Sequence, residues 1–442
     1  MTAPLYEALL RHRELQRASF HTPGHKSAPG ALPSDLFALD YTELPDTDSL
    51  YESSGAIWEA EQEAARLFGV ERTLISSGGC TLCIQAMLRL AAPDGGTVIA
   101  GRVLHRSAVN AMALLGIRPV WAFPSRSAGP DLPGRVTTAE IGRALQDHPD
   151  AKAVYLTSPD YYGVLSDIPG IAALCREHGV PLLVDNAHGA HLKFLKQDLH
   201  PASLGASMTA CSAHKTLPVL TGGAWLNIAE KAYADGAKAA MALFGSTSPS
   251  YPIMASLDLA RDWLERCGTE TYARLEEQVA GLRKLSLSRG ITVPEGSCDP
   301  TRLSLRTASI GLTGREAADH FRRCGVEPEY ADGAYLVLIP TPFNSPEDFE
   351  RLREAILTLP TKAPLEDSLF LPAPPPVCCS PREAVLAQCE EIPLKDAAGR
   401  IAAESACPCP PGIPVVMPGE KITEESREFL LRYGFFSIKV LK

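Results

Sequence analysis

A chain of 442 residues, 45% of them hydrophobic, is long enough for roughly two or three domains with a large core. A formal net charge of −10 argues against nucleic-acid and anionic-membrane partners, and we expect neither. No apolar run reaches the roughly 18 residues of a membrane helix, and the N-terminus lacks a signal-peptide core. We therefore expect a soluble, cytoplasmic protein whose 12 cysteines are reduced.

The N-terminal region begins with a predicted amphipathic helix over Pro4–Arg17. The next segment, 21–26, reads His-Thr-Pro-Gly-His-Lys and is either a solvated turn or an arm that reaches a phosphate or a neighbouring subunit. The segment 40–52 is acidic, with Glu43, Asp46 and Asp48, and is either a solvated loop or an anionic lid for a basic substrate. The spacing then predicts a helix over Ile57–Phe68, which Gly69 ends.

A short strand from Thr73 leads into a loop of small residues, 76–81, and then into a predicted helix over Leu82–Leu90. Backbone N–H groups and a helix dipole converge at such a loop, and glycine lets an anion approach the backbone closely. Gly78, Gly79, Cys80 and Thr81 are therefore candidate phosphate-binding residues. Loops of this kind also occur as plain turns.

Strands and helices alternate over the next hundred residues. The predicted strands are Thr97–Ala100, Pro119–Phe123, Ala153–Thr157 and Leu182–Asp185, and the predicted helices are Arg135–Asp147 and Ile168–His178. His105 lies in a connection between a strand and a helix. This alternation predicts a mostly parallel sheet with helices on both faces.

Two charged residues suggest a cofactor. Asp185 ends a buried strand, where open α/β sheets bind ligands, and Lys215 follows about 30 residues later, shortly before a Gly-rich run. A lone lysine there would usually be a solvated loop residue, and a lone aspartate a helix cap. Together, with His188 and His214 beside them, they suit pyridoxal 5'-phosphate (PLP). The lysine would form a Schiff base, and the acid would keep the pyridine nitrogen protonated.

The C-terminal half is predicted to be helical from Lys231 to Arg289. A small α/β domain follows, with alternation over Arg302–Ile310, a helix over Arg315–Cys324, a strand over Gly333–Ile339 and a helix over Pro346–Leu359. The expected units are an N-terminal arm (1–40), a large PLP-binding domain (41–290), a small α/β domain (291–360), a Pro-rich linker (361–378) and a C-terminal module (379–442) that begins with a helix over Pro381–Gln388. Cysteine pairs such as Cys378-Cys379 lack zinc-site spacing, so no metal is expected.

These motifs together resemble the Orn/Lys/Arg decarboxylases, PLP-dependent enzymes of fold type I, in their short form without an N-terminal wing domain. The resemblance is carried by segments in the family's order: 21–26, Ser158-Pro159 with Tyr161-Tyr162-Gly163, 185–191, 212–215, 399–404, 410–414 and 418–420. It implies an α/β fold with a large, mostly parallel sheet domain and a smaller α/β C-terminal region. It also implies α-decarboxylation of arginine, lysine or ornithine to the amine and CO2, a place in polyamine biosynthesis, and a homodimer or higher homo-oligomer.

The resemblance further implies roles for individual residues. Lys215 would carry the cofactor, Asp185 would pair with the pyridinium nitrogen, His188 would bond near the phenolic oxygen, and His105 would stack on the ring. Ser212 and His214, with the Gly78-Gly79-Cys80 loop and Thr81, would hold the phosphate.

The sequence departs from the family pattern at four places. Gly79 and Cys80 stand where a threonine and a serine are usual, Asn186 replaces a glutamate, Asp160 a threonine and Cys409 a tyrosine. These departures leave the substrate open.

Two alternatives also stay open. One is another PLP enzyme, an aminotransferase or lyase, with Arg302 or Arg306 gripping the substrate carboxylate. The other is a non-catalytic descendant of the fold.

Overall fold

The computed structural model describes residues 17–20, 41–44, 47–124, 132, 134–365, 372–407 and 414–442. Three sequence predictions lie wholly or largely outside these ranges: the helix over 4–17, the cationic loop 21–26 and the 410–413 part of the C-terminal motif. Asp46, Cys409 and the middle of the Pro-rich linker lie outside them as well.

The described residues form strands that are numbered here in chain order. They are β1 Ala18–Phe20, β2 Arg72–Ser76, β3 Gly96–Gly101, β4 Ile117–Ala122, β5 Ala153–Thr157, β6 Leu182–Asp185, β7 Met208–Cys211, β8 Ala224–Ile228, β9 Leu303–Arg306, β10 Val326–Pro328, β11 Tyr330–Ala331, β12 Tyr335–Leu338, β13 Cys389–Pro393 and β14 Ser437–Leu441.

The α-helices in the described ranges are α1 Ala56–Phe68, α2 Gly79–Ala91, α3 Arg106–Leu115, α4 Thr138–Asp147, α5 Ile168–Glu177, α6 Ala213–Thr216, α7 Lys231–Ala234, α8 Ala237–Ala242, α9 Tyr251–Trp263, α10 Thr269–Ser288, α11 Gly314–Arg323, α12 Pro346–Leu357, α13 Pro381–Leu386 and α14 Glu424–Arg432. A π-helical turn, Leu264–Gly268, joins α9 to α10, and short 3-10 turns cover Ala190–Phe194, Thr307–Ile310 and Leu394–Asp396.

The central sheet has seven strands in the order β2-β8-β7-β6-β5-β3-β4. The pairs from β7 to β4 are parallel, while β8 runs antiparallel to both β7 and β2. The predicted mostly parallel sheet is therefore confirmed, although the sequence analysis missed β8. Separate apolar clusters cover the two faces of the sheet, one built around α2 and α3 and the other around α4 and α5.

Local signals account for most helix boundaries. Gly69 ends α1 in the left-handed region at φ 69°, as predicted. The predicted start at Arg135 is wrong, because Thr137 caps α4 through a capping box with Glu140 and the helix begins at Thr138. Helix α2 begins at Gly79 rather than Leu82, so the small-residue loop forms its first turn.

The small domain contains an antiparallel sheet in the order β11-β12-β9. The strand predicted over Arg302–Ile310 is too long, because β9 ends at Arg306 and a 3-10 turn over Thr307–Ile310 follows. The C-terminal residues pair β13 with β14 and have an apolar cluster of their own, which includes Leu394, Val416 and Phe429. No helix within the described ranges is both long and apolar enough to cross a bilayer.

Candidate active site

The predicted site residues converge at the carboxyl ends of β5, β6 and β7. Asp185 is the last residue of β6, and Lys215 lies on the short helix α6 directly after β7, not on an open loop. A cavity of about 590 Å³ opens at this edge. Its lining includes most of the predicted set: Gly79, Cys80, Thr81, His105, Asp185, His188, Ser212, His214 and Lys215. Gly78 lies just outside the lining, as the residue that precedes α2.

Asp185 is a buried carboxylate held by three donors. Its Oδ2 accepts from the Tyr155 hydroxyl at 3.2 Å, and its Oδ1 accepts from the Ala187 N–H at 3.1 Å and faces the Cys80 thiol at 3.9 Å. Burial raises the pKa of Asp185, while His105 and Lys215 act in the opposite direction. Burial also raises the pKa of Cys80 well above its usual range, so its thiol stays protonated and can donate to the carboxylate.

Lys215 and His188 form the central pair of the site, with Nζ and Nε2 2.9 Å apart. Burial is the main cause of the lowered pKa of Lys215, and the nearby Asp185 carboxylate only partly offsets it. The pKa of His188 lies well below its usual range, because burial and then the charges of Lys215 and Arg302 oppose its protonation. The imidazole of His188 is therefore neutral at physiological pH.

Arg302 determines which nitrogen of His188 carries the hydrogen. The guanidinium is 2% exposed, and its Nη2 lies 3.5 Å from His188 Nδ1, at the long end of the hydrogen-bond range. An arginine can only donate, so Nδ1 must be the acceptor and Nε2 must bear the hydrogen. Nε2 and the Lys215 Nζ, 2.9 Å apart, are therefore in hydrogen-bond contact on the side of the ring away from Arg302.

Arg302 also donates hydrogen bonds to the backbone. Its Nη1 and Nη2 donate to the carbonyl oxygens of Tyr161 and His188, at 3.2 and 3.4 Å. Among the described residues that line the cavity, neither Arg302 nor Arg306 occurs. Both guanidinium groups are buried, so the geometry gives no support to their gripping a substrate carboxylate.

His105 lines the cavity and directly precedes the first turn of α3. Its Nδ1 lies 2.8 Å from the Ser107 hydroxyl and accepts from the Ser107 N–H, so the ring caps the helix. The residue as a whole is exposed. Partial burial nevertheless lowers the pKa of His105, which Asp185 raises and Lys215 lowers further. The bonds to Ser107 hold the ring in place on the cavity wall.

The phosphate-loop candidates differ in their free donors. The Gly78 N–H donates to Ser76 Oγ at 3.2 Å, and the Gly79 N–H donates to the Gly222 carbonyl at 2.8 Å. The N–H groups of Cys80 and Thr81 belong to the first turn of α2, where no intrahelical acceptor exists. The donors available at this end are therefore these two N–H groups, beside the Ser212 and His214 side chains of the lining.

Sequence reasoning missed the wall of the cavity that comes from the C-terminal residues. Ser405, Cys407 and Pro414 line it, and the 405–407 segment is joined to the 414–416 segment by bonds between Ala406 and Val415 and Val416. Pro414 belongs to the 410–414 segment that carries the family resemblance, but no local pattern places it, Ser405 or Cys407 at the site. They reach the cavity only through the docking of a separate apolar cluster. Asp160 and Tyr161, from the loop after β5, also line the cavity.

The acidic segment takes a structural role where it is described. Both oxygens of Asp48 accept backbone N–H groups, those of Ser49 and Ser54 on Oδ1 and those of Gly55, Ile57 and Trp58 on Oδ2. Burial raises the pKa of Asp48, but these bonds outweigh it and the net shift is downward. In this chain Asp48 caps α1 and does not line the cavity.

The fold and the site together define the class of protein. A mostly parallel sheet carries a lysine amine, a buried carboxylate and two histidines at one carboxyl edge, which is the arrangement of PLP-dependent enzymes of fold type I. The solved lysine decarboxylase LdcF of Francisella novicida has this fold, with a TM-score of 0.80, 19% identity and coverage of 100% of this chain and 84% of that one.

The chain belongs to the Orn/Lys/Arg decarboxylase family. Residues 3–293 match the family's major domain, and residues 367–437 match its C-terminal domain. The chain is 32% identical to an arginine decarboxylase of Bacillus subtilis over 97% of its own length and 93% of the relative's. It is 30% identical to an arginine decarboxylase of Halalkalibacterium halodurans over 97% and 92%. The predicted family, fold class and decarboxylase class are confirmed, and the aminotransferase, lyase and non-catalytic alternatives are not favoured.

Proposed function

We propose that this protein binds PLP and decarboxylates a basic amino acid, with arginine as the preferred substrate. The observation that carries the proposal is the cavity that brings Lys215 and His188 together with the buried carboxylate of Asp185. The named arginine decarboxylases, at 30 to 32% identity, support arginine over lysine.

The donors present fit the cofactor. A neutral amine at Lys215 is the form that attacks an aldehyde, and Asp185 is the anion that a protonated pyridine nitrogen requires. The free N–H groups at the start of α2 and the Ser212 hydroxyl suit a phosphate. When bound, PLP supplies an electron sink for the pair of electrons left when CO2 departs. The site residues assigned to the cofactor remain our proposal.

The chain's own residues would handle the substrate and the proton. Ile84, Val103 and Leu104 line the cavity as an apolar surface, beside which a carboxylate loses hydration and CO2 loss is favoured. The Lys215 amine, once protonated from solvent, would donate to the carbon that loses CO2, with His188 Nε2 2.9 Å away as its hydrogen-bond partner. The net reaction consumes one proton and releases CO2 and the amine.

Two carboxylates are candidates for the cationic end of the substrate. Asp160 lines the cavity, and burial raises its pKa to about 6, although the Val164 N–H and Arg302 lower it. Glu329 is not among the lining residues but accepts from the hydroxyl of Tyr161, which is. Its charge raises the pKa of the Lys215 amine, against the larger effect of burial. A guanidinium offers several donors in one plane and can engage two such groups.

The direct test is product analysis with purified, PLP-loaded protein. We expect equal amounts of CO2 and amine, with the highest kcat/KM for L-arginine among arginine, lysine and ornithine. Lys215→Ala should abolish both turnover and the visible absorbance band of lysine-bound PLP. Lys196→Ala, a change at a surface lysine paired with Glu277, should alter neither. A keto acid in place of CO2 would overturn the decarboxylase proposal.

Substrate recognition has a matched control three residues further along the chain, across β11. Glu329→Gln should raise KM for arginine by about tenfold, the value of one lost charge-assisted bond. The neighbouring pair, Tyr162 with Asp332 at 2.6 Å, repeats the contact outside the lining of the cavity. Asp332→Asn should therefore leave KM unchanged. Equal effects of the two changes would remove Glu329 from the substrate site.

We further propose that the enzyme works as a homodimer or a higher homo-oligomer in the cytoplasm and that its amine product feeds polyamine synthesis. The cysteines within the described ranges are free, as a reducing compartment requires. Light scattering of the PLP-loaded protein tests the oligomeric state, and a monomer at micromolar concentration would contradict it.

A further inference from the structure

A buried ion pair joins the central sheet to the C-terminal wall of the cavity. Arg102 follows β3 directly, and its Nη1 and Nη2 lie 2.6 and 2.8 Å from the two carboxylate oxygens of Glu420. Both residues are 2% exposed. The fork geometry uses both oxygens at once, which fixes direction as well as distance.

The same guanidinium holds the wall itself. Its Nε donates to the Pro414 carbonyl at 3.1 Å, and its Nη2 donates to the Val415 carbonyl at 3.3 Å. Pro414 lines the cavity, so the side chain of Arg102 is bonded directly to a lining residue. The guanidinium also lies over the rings of Trp121 and Phe123, at 5.1 and 5.6 Å, which fixes its plane.

Glu420 holds the other end of this segment. Its Oε2 accepts from the Met417 N–H at 2.8 Å, and its backbone carbonyl accepts from the Ala402 N–H at 2.9 Å. The Ala406 N–H donates to the Val416 carbonyl, and the Val415 N–H donates to the Ala406 carbonyl, both at 2.9 Å. The lining residues at 405–407 are therefore positioned by the 414–420 segment, which Arg102 anchors.

Arg102 also directly precedes a second segment of the cavity lining. The residues that follow it, from Val103 to Ser107, line the cavity and include His105. One side chain thus sets the spacing between the wall that carries His105 and the wall that carries Ser405, Cys407 and Pro414.

We propose that Arg102 and Glu420 are positioning residues that determine the width of the substrate cavity. The inference rests on the proposed function for its substrate, and it adds that specificity depends on the C-terminal residues. A loosened wall would bind the substrate less well, while the Lys215–His188 pair would stay in place. KM should therefore change more than kcat.

The test must separate positioning from folding. Glu420→Gln leaves the buried guanidinium without its counter-ion and can unfold the protein. The double variant Arg102→Met with Glu420→Met replaces the pair by apolar side chains, a change that often preserves stability. It still removes both bonds to the Pro414 and Val415 carbonyls. We expect a folded, PLP-binding enzyme whose KM for arginine is raised about ten- to a hundredfold with kcat changed less than about threefold.

Hydrogen exchange supplies a readout that does not depend on activity. In the double variant, exchange at the amides of Ala406 and Val415 should speed up by about tenfold or more, because the segment opens locally more often. These data judge the positioning role even if the proposed reaction fails. Wild-type KM together with wild-type exchange at these amides would overturn the inference.

Arg382 provides the matched control. It lies on α13 and donates to the Ala113 and Leu114 carbonyls, so it also ties the C-terminal residues to the large domain, but away from the cavity. Arg382→Met should loosen α13 without changing KM. An equal rise in KM for Arg382→Met would mean that docking in general matters, and the specific role of Arg102 would be refuted.

Discussion

Replacement of Asp48 tests whether this residue of the acidic segment 40–52 caps a helix or belongs to a lid over the substrate. Helix α1 begins after Gly55, which has no side chain to cap it. The Asp48 carboxylate takes that role and accepts five backbone N–H groups at 2.9 to 3.3 Å. Asp48 itself sits in the left-handed region at φ 67°, which aspartate and asparagine tolerate better than most residues. We therefore expect replacement of Asp48 to affect stability and not substrate binding.

The magnitude follows from these contacts. Asp48→Ala removes the whole cap, about 2 kcal/mol, and places alanine in a left-handed conformation at about 1 kcal/mol more. Unfolding entropy near 2.1 cal/mol/K per residue gives about 0.9 kcal/mol/K over the 442-residue chain, so Tm should fall by about 3 °C. Asp48→Asn keeps one oxygen acceptor and the backbone tolerance, so its Tm should fall by about 1 °C.

The assay is thermal unfolding of the PLP-loaded protein by circular dichroism, paired with KM for arginine. Glu43→Gln is the control, since Glu43 is exposed and its described contact is the hydroxyl of adjacent Thr42. The folded-state pKa of Asp48 is lowered, so its contribution is present above the ordinary carboxyl pKa and is lost as the pH falls through the lowered value. The Tm difference between wild type and Asp48→Asn should shrink in acid. A raised KM with an unchanged Tm would refute the capping role of Asp48 and favour the acidic segment as an anionic lid over the substrate.

Three further changes test the site and its support. Tyr155→Phe removes a hydrogen-bond donor that lowers the pKa of Asp185, and burial already raises that pKa. The acid limb of the pH–kcat profile should therefore move to higher pH. An unshifted limb would contradict this. Lys238→Met leaves the buried Glu61 carboxylate without its ion pair. The free energy of unfolding, measured with denaturant, should fall by about 3–5 kcal/mol. The double variant with Glu61→Met should recover most of that loss. Arg302→Met removes a positive charge that lowers the pKa of Lys215, so PLP attachment to the apoenzyme should require a higher pH. Visible absorbance follows the attachment. An identical pH profile would show that Arg302 does not affect the protonation of Lys215.

Much of the fold was predictable because its signals are local. The strands Ala153–Thr157 and Leu182–Asp185 have the predicted bounds, since each is a short apolar run between a turn and a loop. Helix starts were less predictable, because a capping box such as that of Thr137 and Glu140 acts through two side-chain bonds that periodicity does not detect. The strand β8 was missed because its signal was read only as the Gly-rich turn before it.

The sequence by itself determined the chemistry at the centre: a lysine after one strand, an aspartate at the end of its neighbour, and the family to which they point. These residues are close in the chain, and parallel strands bring their carboxyl ends to one edge of a sheet. Only the tertiary structure decided that Asp48 is a cap, that Arg302 orients His188, and that the cavity has a wall from residues beyond 400. The Asp48 cap spans at most ten residues but depends on a left-handed turn that periodicity does not detect. The other contacts join residues 114 and 318 apart in the chain, and they depend on the packing of separate apolar clusters, which no local pattern encodes.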